Sequence, residues 1–405
     1  MKKLSVDNKF LSLPIIGSIA VAVYLRWYLF LKPGYAFDLG QFIKWTRFIL
    51  DNGFFNLYSS ANIATVDNYP PVIPLLTSAW FKFSSVLQLS FNDIENTKLI
   101  FTLVEIILLI IVSTIVVKSN ARHKYVLLAL TIISPALALV TTGWGQAEAV
   151  FVLLILLAFV TAEKMSVLSV FILLLSLLTK PQAIPAVGIY FLYLFFKDGL
   201  KKAAISLGIF LAMFAAAYLL FYSIGKISLI ELFTGSVGFY KNLSLNAFNL
   251  WWMIYGRETW NIVDKVSGQF DYKTLGLTIF VIFELPALYY LTKAKKIADV
   301  ALVLGYTYLC FFVFPTEIHE RYLYPAVVFL GIAAVLDKQL FYSYILVSVT
   351  FILNILAVLQ SVYPQFSFLS QNMISGSWTV LVAGANVLLC LYLAMYLIFK
   401  SNAKS

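Results

Sequence analysis

The chain has 405 residues, of which 61% are hydrophobic and only 12% charged, against about 25% charged in a soluble domain. This composition excludes a water-soluble globular protein. A net charge of +10 would suit a nucleic-acid binder, but the lysines sit in short clusters between apolar runs, the pattern of cytoplasmic loops in membrane proteins, so no nucleic-acid partner is expected.

Apolar runs recur along the chain at lengths that suit a hydrocarbon core of about 30 Å, and they lack period-2 alternation, which selects helices over a barrel. The spans predicted in chain order are 12–31, 99–117, 125–142, 147–162, 165–179, 183–196, 203–223, 274–292, 298–315, 322–336, 340–360 and 378–399. They give an all-α polytopic membrane protein of about 12 helices, a single domain over residues 1–405. The first run lacks a small-residue cleavage site and is expected as a retained helix. Basic clusters at Lys2/Lys3/Lys9, Lys118/Arg122/Lys124, Lys197/Lys201/Lys202, Lys293/Lys295/Lys296, Lys338 and Lys400/Lys404 are assigned to the cytoplasm, with both termini inside. Residues 71–90 are apolar enough to cross, but crossing would put the Lys118 cluster outside. They are expected to lie along the outer leaflet, within a first outer loop of about 32–98, with a second long outer loop at about 225–273. Glu105 and Glu284, inside spans, are read as helix-helix partners. Cys310 and Cys390 have no metal-ligand spacing.

With this orientation the chemically informative residues fall at outer helix ends. Asp38, in GYAFDLGQFIKW, is a candidate base held at the membrane surface, or simply a helix cap. VDNYPP places Asp67, Asn68 and Tyr69 on a rigid turn, whether or not it does chemistry. GWGQAEA presents Trp144, Gln146 and Glu148 at a helix start, where an acid also complements the dipole. Lys180, in TKPQ, is a cation on the side where the charge rule disfavours one, which reads as an anion contact or as snorkelling to headgroups. FPTEIHERYLYP packs Glu317, His319, Glu320 and Arg321 into a short loop, suited to phosphate recognition or to an internal ion pair. KNLSLNAFNLWWMIYG, with Asn249 and Trp251, suits stacking on sugar rings, as does an ordinary interfacial aromatic belt.

Taken in order, Asp38, Asp67/Asn68-Tyr69-Pro70-Pro71, Trp144-Gly145-Gln146, Lys180-Pro181-Gln182, Phe248-Asn249-Leu250-Trp251 and His319-Glu320-Arg321 resemble the multi-spanning GT-C glycosyltransferases. The resemblance is strongest to the dolichyl-phosphate-glucose-dependent glucosyltransferases and to bacterial mannosyltransferase-like membrane proteins. It implies inverting transfer of a hexose from a polyprenyl-phosphate donor to a glycan or lipid-linked acceptor on the outer face of the membrane; separately, the lack of a retrieval signal leads us to expect a cell (plasma) membrane over an endoplasmic reticulum with a lumenal site. Asp38 takes the role of base, and Arg321, Lys180 and His319 face the donor phosphate. Asp67, Asn68, Tyr69, Trp144, Gln146, Glu148, Asn249, Trp251 and Glu320 line the sugar and acceptor. The family's Asp-Tyr-Pro-Pro is met with Asn68 before Tyr69 and the acid one residue earlier, and the position two residues after Trp-Gly-Gln is Glu148. With no outer Asp-X-Asp and no glycine-rich phosphate loop, neither a metal nor a nucleotide cofactor is expected. A polysaccharide polymerase or ligase of similar build, or a lipid or solute transporter, are the other classes open to the sequence.

Overall fold

The computed structural model describes residues 8–59, 62, 69–235, 238–260, 271–294, 296–362 and 376–403. The described chain is almost wholly helical. In order, the helices are α1 (Asn8–Phe30), α2 (Ala36–Asn52), α3 (Phe54–Leu57), α4 (Val72–Val86), α5 (Asp93–Lys118), α6 (Lys124–Ile133) and α7 (Pro135–Ala138), then α8 (Glu148–Thr161), α9 (Ser166–Leu177), α10 (Ile184–Asp198), α11 (Leu200–Gly225) and α12 (Leu229–Thr234). They continue as α13 (Leu250–Tyr255), α14 (Tyr272–Leu291), α15 (Ile297–Val313), α16 (Tyr324–Ala333), α17 (Lys338–Val362) and α18 (Trp378–Ala403). A two-residue parallel pair, β1 (Ser244–Leu245) with β2 (Ile318–His319), joins two distant loops.

Among the described residues, six helical stretches are long and apolar enough to cross a membrane: Asp93–Lys118, Lys124–Trp144, Leu200–Gly225, Tyr272–Leu291, Lys338–Ser361 and Trp378–Ala403. Their outward surfaces stay apolar, with Leu219 on α11 63% exposed and Leu388 on α18 67% exposed, a distribution that only a lipid solvent tolerates. The protein is therefore a helical membrane protein. The core gathers around α15 and α16, where Val300, Tyr308, Phe312, Tyr324 and Phe329 are all sealed from solvent.

Within this apolar medium polar groups find partners across helices. Arg26 on α1 donates to Glu105 on α5 at 2.7 Å, both buried, and Glu284 on α14 accepts from Thr307 on α15 at 2.7 Å. Both acids thus join helices, as expected from their position. Lys98, near the start of α5, reaches back to the end of α1 and donates to the carbonyls of Leu29, Phe30 and Lys32 at 2.8, 2.9 and 2.6 Å. A cation on orphaned C-terminal carbonyls satisfies them and complements the dipole, which fixes where α1 stops and the next segment begins.

The first long loop is mostly helical. On α2 the residues Leu39, Phe42, Trp45, Thr46 and Ile49 are buried, and on α4 Ile73, Thr77, Phe81 and Ser84, each one face of an amphipathic helix. The two faces meet, with a Thr46 to Thr77 hydrogen bond of 2.7 Å, while Leu75, Phe83 and Val86 stay exposed. Arg47 ties α2 to α5 through Asp93. Further on, the Phe54, Phe55 and Tyr58 rings pack on Phe221 of α11. The fit is tight at Gly225, where an added Cβ would stand 2.0 Å from the Tyr58 carbonyl oxygen. Gly225→Ala is expected to cost about 1–3 kcal/mol through overpacking, read as a lower unfolding midpoint in detergent. The same change at Gly208, where a Cβ meets nothing within 4 Å, is the control and leaves the midpoint in place.

Candidate active site

Tyr35 precedes α2 and donates its backbone N–H to the Trp144 carbonyl at 2.9 Å, so α2 starts against the Trp-Gly-Gln segment. Asp38 lies in the first turn of α2, yet it does not cap the helix: the cap position is Tyr35 and its side chain makes no cap bond. The half-buried Asp38 carboxylate turns instead towards Trp144 and Gln146. Its Oδ2 accepts from Trp144 Nε1 at 2.9 Å and from Gln146 Nε2. Oδ1 has no hydrogen bond among the described residues.

Both donors come from one unusual piece of backbone. Residues Leu139–Trp144 form a π-helical turn that ends at Gly145 with φ +89°, before α8 begins at Glu148. The wide π turn and the left-handed glycine bring an indole and an amide two residues apart onto the same oxygen. A side chain at Gly145 would be strained by that φ and would strike Leu39 at 2.6 Å.

Behind Trp144 lies a buried charge cluster. Glu148 is 1% exposed, and its Oε1 accepts from Lys180 Nζ at 2.7 Å with Arg321 Nε at 3.3 Å. Arg321 Nη1 donates to Glu320 Oε1 at 3.1 Å. The guanidinium also lies 5.9 Å from the ring centres of both Trp144 and Tyr322, so two rings and two carboxylates fix it. Lys180 is held by an extended backbone that Pro181 imposes, and its ammonium lies 5.9 Å from the Tyr69 ring. Gln182 donates to the Tyr322 hydroxyl at 2.6 Å. The loop carrying Arg321 is braced by the β1–β2 pair and by Glu317, at φ +63°, whose carboxylate accepts from Gly238 N–H at 2.9 Å and meets Lys273 at 3.5 Å.

Burial pushes the Glu320 carboxyl up, against the pull of Arg321. Burial, Arg321 and Lys180 hold His319 well below the usual imidazole range, so it is neutral at physiological pH. Burial alone would lower Arg321, but Glu320, Asp38 and Glu148 outweigh it and keep it fully charged. Lys180 is lowered by burial despite Glu148. Three carboxylates thus gather around two cations, and the Trp144 indole contacts both the Asp38 carboxylate and the Arg321 guanidinium.

Of the residues singled out in the sequence, Asp38, Tyr69, Trp144, Gln146, Glu148, Lys180, His319, Glu320 and Arg321 meet in this one cluster. Asp67 and Asn68 lie outside the described residues. Three of the expected contacts already have partners within the protein. Lys180, expected to face an incoming phosphate, is 4% exposed and already paired with Glu148, because a buried ammonium needs a carboxylate beside it. Asn249 and Trp251, expected against a sugar, are 0% and 2% exposed: Asn249 caps α13 by accepting from Trp252 N–H at 3.1 Å, and Trp251 Nε1 donates to the Phe314 carbonyl at 2.8 Å. Tyr240, whose ring stands 5.1 Å from His319, and Tyr322, which accepts from Gln182 of the Lys-Pro-Gln motif, were not marked as site residues, although each adjoins a motif that was. Among the described residues no three His, Cys, Asp or Glu side chains come together as a metal site requires. No family model and no curated protein matches the chain.

Proposed function

We propose that the protein is an inverting GT-C-type glycosyltransferase, with about twelve spans, that moves a hexose from a polyprenyl-phosphate donor to an acceptor at the outer face of the membrane. The observation that carries this reading is the Asp38 carboxylate, with one oxygen held and the other unbonded among the described residues, beside a fixed guanidinium that shares its Trp144 contact. That pairing offers a base for an acceptor hydroxyl and a cation for a departing phosphate. Segments far apart in the chain, including every described motif of the resemblance except Asn249–Trp251, supply the surroundings.

In the proposed reaction the acceptor oxygen bonds to the anomeric carbon as its proton passes to Asp38. The bond from that carbon to the phosphate oxygen breaks on the opposite face, and its electron pair leaves with the polyprenyl phosphate. Arg321 stabilises that anion, in surroundings of low dielectric where a fixed charge acts strongly. Lys180 acts one step back, by holding Glu148 and through it the Arg321 side chain. The basic turns at Lys118, Lys197, Lys293, Lys338 and Lys400 lie at helix ends opposite those that carry the cluster, which under the positive-inside rule supports an outer position for the cluster. The site's position favours a lipid-linked donor over a cytoplasmic sugar nucleotide.

The reading is tested by the product. Transfer by purified protein from a polyprenyl-phosphate hexose gives a glycoside of the opposite anomeric configuration, one sugar larger than the acceptor. Retained configuration sinks the in-line mechanism, transfer of a whole oligosaccharide moves the protein to the polymerase class, and uptake into sealed vesicles without a covalent change moves it to the transporters.

A further inference from the structure

We propose that Trp144 and Gln146 are positioning residues that direct the Asp38 carboxylate, and do not contact the sugar or acceptor. This rests on the reading of Asp38 as the base. Trp144 Nε1 at 2.9 Å and Gln146 Nε2 converge on the same oxygen, Oδ2, and no other hydrogen bond reaches the carboxylate among the described residues. A carboxylate on the first turn of a helix swings freely about two torsions. Two donors on one oxygen remove that freedom and leave Oδ1 as the oxygen turned to the acceptor proton.

The backbone is built for this outcome. The π turn of Leu139–Trp144 would ordinarily relax to α geometry, yet it is retained here, fully buried, and closed by Gly145 at φ +89°. The Gln146 backbone N–H donates to the Val140 carbonyl at 3.1 Å and the Trp144 carbonyl accepts from Tyr35, so the tripeptide is tied to its own π turn at Val140 and to α2's start by backbone at Tyr35 and by side chains at Asp38. The burial is as telling. Trp144 is 3% and Gln146 2% exposed, which leaves neither the polar edge nor the area that a sugar would stack on. The half-buried Asp38 is the part of this trio that a substrate reaches.

Trp144→Phe keeps a ring beneath Arg321 and removes only the N–H. Gln146→Met keeps the volume and removes the amide. Each is expected to lower kcat for transfer by about tenfold with donor and acceptor KM within about twofold, because an interaction that orders the base acts in the transition state alone. A rise in KM with kcat unchanged would make these residues substrate contacts and overturn the proposal, as would wild-type kcat in both variants. Independently of turnover, the indole N–H resonance that Trp144→Phe removes is expected to shift upfield in Asp38→Asn, where a neutral amide replaces the carboxylate acceptor. An unmoved resonance overturns the proposal. Wild-type kcat in Asp38→Asn, with the resonance shifted, instead defeats the base assignment and leaves the hydrogen bonds as fold structure.

Discussion

Replacing Asp38 by Asn is expected to lower kcat for sugar transfer by about two to four orders of magnitude, while donor affinity changes by less than about twofold. The side chains are nearly the same shape, and an Asn carbonyl oxygen can still accept from Trp144 Nε1 and Gln146 Nε2, so the first turn of α2 keeps its place. What is lost is the capacity to take a proton. The expected split separates this from a binding role, because a residue that only held the acceptor would raise its KM and spare kcat. Equilibrium binding of a non-transferable donor analogue, beside initial rates, checks both halves. Full kcat in Asp38→Asn removes the carboxylate from the chemistry.

The second large effect belongs to Glu148. Its carboxylate lies between Lys180 and Arg321, with side chains only 5% and 14% exposed, and replacing it by Ala leaves two like charges facing each other out of water. Removing one partner of a buried pair costs about 3–5 kcal/mol, so Glu148→Ala is expected to lower the unfolding midpoint in detergent markedly. Pairing Glu148→Leu with Lys180→Met removes an acid and a base together and is expected to recover most of that stability. Activity is not expected to recover with it, since the Arg321 guanidinium loses the carboxylate at its Nε. Recovery of both together would reduce Glu148 and Lys180 to a structural pair with no bearing on Arg321. Survival of the midpoint in the single variant would contradict the burial argument itself.

Local features of this protein were legible in the sequence, and contacts between distant segments were not. Helical structure occupies the twelve apolar stretches read from the chain, broken at Ser134 in the 125–142 stretch, because unbroken hydrophobicity without period-2 alternation favours a helix. Six of the described helical stretches are long and apolar enough to cross a membrane. Partners required the fold. Glu105 was recognisable as a costly acid inside a span, but nothing near it in sequence identifies Arg26, 79 residues away, as its partner. Lys98 looked like the end of a loop and is instead the cap of α1.

The site divides in the same way. Asp38, Trp144, Gln146 and Arg321 were named because each stands where a helix starts or breaks, and the structure joins them. Their relation was hidden: Asp38 had a competing reading as a helix cap, and only the π turn, which no local pattern announced, explains why it turns away from its own helix. Lys180 was read as open to an anion because charge rules report which side of a membrane a cation is on and not whether an acid is beside it. Asn249 and Trp251 have internal partners that the sequence did not reveal, because aromatic and amide groups that suit a sugar also suit a helix cap and a carbonyl.

The most direct test of the central claim is release of polyprenyl phosphate by the purified wild-type protein from a panel of short-chain polyprenyl-phosphate hexoses, with nucleotide-linked hexoses in parallel. The account predicts release from at least one lipid-linked donor and none from the nucleotide sugars. Turnover of the nucleotide sugars alone, or no binding and no release with any lipid-linked donor, would contradict it.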